Sequence, residues 1–122
     1  MKIAKVSEDL LNSTFERWEV DNDFKTPIYN YLVHGFEPGS FFSSVIANDF
    51  LSAMSHSHPN NTIIALKRLS NWIRSYMPSK AYGNYDRVNQ WISMPEEERR
   101  AILEKSKLIY NNQQEMWGTL QA

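Results

Sequence analysis

Three histidines, a scatter of carboxylates and a basic stretch in mid-chain are the side chains here that could do chemistry. His56 and His58 stand one residue apart beside Pro59, and Asp49 lies seven residues before His56. Imidazole and carboxylate are the ligand types for zinc and related ions. The pair lacks the i, i+4 spacing that sets two imidazoles on one helical face, and no third ligand follows at fixed spacing. It reads as two solvated loop histidines, and no metal is expected. His34 precedes Gly35 and suits the end of a helix, where a cation meets the negative end of the dipole. Glu37, Asp49 and Asp86 are the carboxylates that could share acid–base work. Such work needs surroundings that drive two pKa values apart, and exposed acids read instead as solvated or capping groups. There is no G-x-S-x-G elbow, no phosphate-binding loop and no G-x-G-x-x-G fingerprint. Cysteine is absent, which excludes disulfides and thiolate metal sites. The expectation is a chain with no catalytic residues and no cofactor.

The charges are distributed unevenly although they sum to only −1 over 122 residues. Residues 1–58 carry four basic groups against eight acids. Residues 59–92 carry Lys67, Arg68, Arg74, Lys80 and Arg87 against Asp86 alone. Lys67 and Arg74 are seven apart and share a helical face with Asn71, and Tyr76, Tyr82 and Tyr85 follow. Cations for phosphates beside aromatic rings for stacking would suit a nucleic acid. The competing reading is a solvated helix face behind a buried apolar stripe, and the near-neutral net charge favours it.

Helices must position all of these groups. Ser7 with Glu8 and Asp9 marks a start, and Leu11, Phe15 and Trp18 recur as one stripe. Thr26-Pro27 begins a second helix that ends at Gly35, a natural left-handed residue. Pro38, Gly39 and Ser40 turn the chain into a third helix running to about Ser55. Phe41, Val45, Phe50, Leu51 and Met54 would cluster on it, which predicts a central helix. The polar pair Asn48 and Asp49 inside it is expected to make a structural hydrogen bond, for instance to the Pro38–Ser40 turn, with a binding site as the alternative. Asn60 or Asn61 caps a fourth helix with the buried stripe Ile63, Leu66, Leu69 or Ser70, and Ile73, beside Trp72. Asn84 caps a short fifth helix carrying Val88, Trp91 and Ile92. Ser93 with Glu96 forms a capping box for the last helix. That helix extends to Trp117, roughly 35 Å long, and Ile102, Ile109 and Met116 fall seven apart along it.

The resulting fold class is all-α: one domain over residues 1–122, a compact bundle of five or six helices with a long C-terminal helix. The chain is 42% apolar with four tryptophans and few glycines or prolines, which argues against disorder. No stretch approaches the ~18 apolar residues that span a bilayer. The first residues lack the apolar core of a signal peptide, so no membrane partner and a cytoplasmic setting are expected. The overhanging final helix needs a partner, either another protein or a second copy. Arg100, Lys107, Tyr110, Met116 and Trp117 are the expected contact residues, since aromatic and Arg anchors dominate such interfaces.

Residues 28–92 carry a further pattern. Gly35, Pro38, Gly39, Ser40, Phe41, Asn48, Asp49, Asn61, Pro78, Gly83, Trp91 and Ile92 fall in an order that resembles a set of short tailed-phage proteins. The resemblance implies a phage origin, an infected bacterial host as the setting and a compact helical unit over 28–92. The first helix and the 93–122 helix look like additions to it. The function expected on these grounds is a small non-enzymatic accessory protein that binds a host protein, in defence, replication or transcription, and blocks it by occlusion. Nucleic-acid binding through Lys67, Arg68, Arg74, Lys80 and Arg87 is the alternative.

Overall fold

A computed structural model describes residues 5–57 and 62–106. The described chain forms seven α-helices and no strand. They are α1 (Lys5–Arg17), α2 (Lys25–His34), α3 (Gly39–Ile46), α4 (Phe50–His56), α5 (Ile63–Tyr76), α6 (Tyr85–Ser93) and α7 (Glu96–Lys105). Two 3₁₀ turns, Asn22–Phe24 and Ser79–Ala81, precede α2 and α6. The all-α expectation holds. The count of five or six is exceeded because the apolar stretch 40–55 is two helices rather than one. The long C-terminal helix differs from expectation: α7 starts at Glu96 and ends at Lys105 with Ser106 as its C-cap, and Lys107, Tyr110, Met116 and Trp117 lie outside the described residues.

The hub is α2, not the 40–55 stretch. Ile28, Tyr31, Leu32 and Val33 are all buried, so α2 is covered around most of its circumference. Several neighbours are pinned to it or to α5 by a polar group at the tip of a large side chain. The Tyr31 hydroxyl donates to the carbonyl of Ala81 at 2.7 Å, and the Trp91 indole donates to the carbonyl of Tyr31 at 3.1 Å. On the other side, Phe15 of α1 meets Trp72 of α5 edge-on with ring centroids 4.9 Å apart. The Trp72 indole donates to Thr14 Oγ1 at 2.9 Å, and the Trp18 indole to the Tyr76 hydroxyl at 3.0 Å. Buried aromatic groups thus satisfy their own polar atoms while filling the interior. Burial holds the Tyr31 phenol well above its ordinary pKa of 10.0, since ionising it there would strand a charge away from water.

Gly35 ends α2 at φ +67°, as expected of a left-handed terminus. A second reason for glycine appears only in three dimensions. Arg99 of α7 is buried, and its guanidinium donates to the carbonyls of Val33 (3.4 Å) and Met94. A Cβ on Gly35 would stand 2.7 Å from Arg99 Cζ. The cation therefore sits over the negative end of α2, and glycine leaves the room for it.

Some local signals resolve differently from expectation. Thr62, rather than Asn60 or Asn61, caps α5 through Ala65 N–H at 3.0 Å. Helix α2 starts at Lys25, with Pro27 inside its first turn. Ser93 is the last residue of α6, and Pro95 occupies the N-cap of α7 without a side-chain bond, so the capping box does not form. The end of α6 is closed instead by Met94 N–H donating to Trp91 O at 3.2 Å, which keeps Ser93 inside that helix. Asn84 caps α6 as expected, accepting from Arg87 N–H at 2.8 Å.

Candidate functional site

The break between α3 and α4 creates the most distinctive surface of the molecule. Asn48 adopts the left-handed conformation at φ +63°, which Asn tolerates better than most residues. The end of α3 closes tightly, with Asp49 N–H donating to Ser44 O at 2.8 Å. Asp49 then caps α4. One carboxylate oxygen accepts from Ser52 N–H at 3.3 Å, and the other from the Tyr85 hydroxyl at 2.6 Å. The Tyr85 hydrogen bond, followed by those from Ser52, holds the Asp49 carboxyl below its ordinary value of 3.8. Asp49 thus bonds to α4 and α6, and the expected bond to the Pro38–Ser40 turn is replaced. A further bond from Gly83 N–H to Ile46 O at 2.8 Å ties the end of α3 to the turn before α6.

The change of direction decides which apolar side chains meet water. Phe41 and Phe42 of α3 pack on Phe24, with centroids 6.1 and 5.4 Å from it. Phe50 and Leu51 of α4 are 71% and 77% exposed. At the start of α5, Ile63 and Ile64 are 74% and 62% exposed, although Ile63 was expected in the buried stripe. Leu69, Trp72 and Ile73 carry that stripe instead. Exposed apolar groups are ordinary singly; a contiguous set around a concavity marks an interaction site.

A concavity is present. One part, of about 390 Å³, lies between α3–α4 and α5, lined by Val45, Phe50, Ala53, Met54, Ile63 and Leu66 with Lys67 and Ser70 at its edge. A second, of about 330 Å³, shares Val45, Asn48 and Ser70 with it and continues past Ile73 and Arg74 to Tyr82 and Gly83. Together they form one furrow along a single face of α5.

The basic residues separate in three dimensions. Lys67 and Arg74 line the furrow. Arg68 points to the turn that follows α1 and pairs with Glu19 at 3.2 Å. Arg87 folds back, donating to the carbonyls of Ser79 at 3.3 Å and Tyr82 at 3.2 Å. Lys80 is exposed on the second 3₁₀ turn. Elsewhere, Arg100 pairs with Glu104 one turn along α7, at 3.5 Å. His56 is exposed, with Nδ1 2.9 Å from Ser52 O, and His58 lies outside the described residues. Among the described residues no group of three or more His, Cys, Asp or Glu could hold a metal ion, and no helix is long and apolar enough to cross a membrane.

The furrow was not expected from the sequence. Its signal was the Asn48-Asp49 pair read as a helix end plus a helix start, a left-handed residue followed by an N-cap. No family model, curated protein or solved structure matches the chain.

Proposed function

We propose that this chain is a non-enzymatic protein-binding module whose contact surface is the furrow between α4 and α5. The observation that carries this reading is the exposure of Phe50 and Ile63 in the lining of a concavity, with Leu51 exposed next to Phe50. Leaving three large apolar groups in water forgoes roughly 1.5–3 kcal/mol each, which a partner would recover by covering them. The wider setting belongs to the same proposal. The resemblance of residues 28–92 to short tailed-phage proteins favours an accessory protein that acts on a bacterial host protein by occlusion. The final helix, with Arg100 and the residues beyond it, remains a second contact region or a homodimer seam in that proposal.

The nucleic-acid alternative is weakened by the geometry of the cations. Arg68 and Arg87 are engaged within the chain, and Lys67 borders a mainly apolar lining. A phosphate-binding surface gains from several free cations along one track.

The test is a variant that removes the apolar rim and keeps helix-forming residues, Phe50→Gln/Leu51→Gln/Ile63→Gln. Wild type and variant are used for affinity capture from nuclease-treated bacterial lysate. A partner held by wild type and released by the variant is expected. Equal capture by both would overturn the assignment of the surface.

A further inference from the structure

The lining of the furrow specifies the chemistry of its occupant; this inference rests on the reading of the furrow as a protein-binding surface. Three modes of peptide recognition compete for such a groove: an added strand, a polyproline segment and a helix. An added strand needs an open sheet edge, and no strand exists among the described residues. A polyproline segment needs a groove lined by several aromatic rings, whereas the α4–α5 part is mainly aliphatic, with Val45, Ala53, Met54, Ile63 and Leu66 beside Phe50. A helix laying an apolar stripe between α4 and α5 fits. The face of α5 that lines the furrow runs from Ile63 to Arg74, about 17 Å of helix axis or three turns.

Charge sets the rest. Lys67 and Arg74 are exposed, line the furrow and form no ion pair among the described residues. Their separation of seven residues places them two turns apart on one side of α5, about 10.5 Å. The acid in the lining, Asp49, is held at the head of α4 by Ser52 N–H and the Tyr85 hydroxyl and keeps its charge there, so the lining carries two cations against one anion. The two cations are left to face whatever enters.

We infer that the furrow takes an acidic amphipathic helix from a partner protein. Its apolar stripe covers Val45, Ala53 and Leu66, and two carboxylates seven residues apart pair with Lys67 and Arg74. The charge pairs set register and discrimination, and the apolar floor supplies most of the affinity.

The probes are two synthetic fifteen-residue helical peptides with the same leucine stripe. One carries Glu at two positions seven apart beside the stripe, and its twin carries Lys there. A fifteen-nucleotide oligothymidine serves as the phosphate probe. Each is titrated into the full chain with amide shifts as the readout. The Glu peptide is expected to shift amides of α4 and α5 saturably and to bind at least tenfold more tightly than its twin. Lys67→Glu/Arg74→Glu is expected to reverse that preference. Equal binding of the two peptides at α4 and α5 overturns the carboxylate pairing and leaves the protein-binding reading standing. Binding of oligothymidine that weakens steeply with salt, with neither peptide shifting α4 or α5, overturns both. A charge-reversed variant that folds and keeps the preference for Glu overturns the assignment of Lys67 and Arg74.

Discussion

Trp72 and Leu51 are both large apolar residues on amphipathic helices, yet one is fully buried and the other is 77% exposed. Around Trp72 the chain has closed every polar account: the indole reaches Thr14, Phe15 stacks edge-on, and Tyr76 is met by Trp18. Leu51 faces water, next to the Phe50 that lines the furrow. The difference is one of helix direction rather than of residue type. Had α3 continued through residue 48, Phe50 and Leu51 would have stood one turn beyond Ile46 and Ala47, which are both buried. The left-handed turn at Asn48 sends them outward. A hydrophobic side chain therefore reports burial only once the axis of its helix is known.

This contrast can be broken most forcefully at the buried end. Trp72→Ala is expected to cost about 3–5 kcal/mol of unfolding free energy, whereas Leu51→Ala should stay within about 0.5 kcal/mol of wild type. Urea titrations of the two variants check this, and similar losses would mean that both residues are core. A smaller effect is expected at the α2–α7 junction. Gly35→Ala forces a side chain into a left-handed conformation and against Arg99, and should cost about 1–3 kcal/mol. An unchanged midpoint would show that Arg99 is not seated over α2. The smallest effect concerns the head of α4. Because Asp49 titrates below its ordinary value in the fold, its contribution to stability is present above about pH 4. It is lost as pH falls through the lowered value. Tyr85→Phe removes the largest cause of that lowering. The variant should be slightly less stable at neutral pH, and its decline below about pH 4 should be shallower. Urea midpoints across pH 2–7 read both slopes, and superimposable curves would remove the Tyr85–Asp49 bond from the account.

The interior was legible because its signals are local and periodic. Leu11, Phe15, Leu69, Ile73, Val88 and Trp91 all lie on stripes visible in the sequence, and all are buried. Gly35 and Asn84 announced a helix end and a helix start that the structure keeps. The site was legible only in fragments. The shared face of Lys67 and Arg74 follows from their spacing, but what that face looks onto does not. An Asn or Asp inside a helix costs only about 0.7 kcal/mol relative to Ala, so residues 48 and 49 do not by themselves force a break. The contacts that hold the break come from far along the chain: Gly83 N–H to Ile46 O, and Tyr85 to Asp49 across 36 residues. Arg99 escaped notice for a similar reason. It stands in a run of charges that reads as a solvated face, and the carbonyls it serves, apart from Met94 O, lie on α2.

The central claim is that the α4–α5 face is spare surface, available to a partner because the fold does not need it. Equilibrium urea unfolding of Phe50→Gln/Leu51→Gln/Ile63→Gln beside wild type tests that claim most directly. Equal midpoints, with free energies agreeing within about 1 kcal/mol, are predicted for three substitutions on exposed positions. A loss of several kcal/mol would mean that these side chains are buried in the folded chain, and would contradict the account.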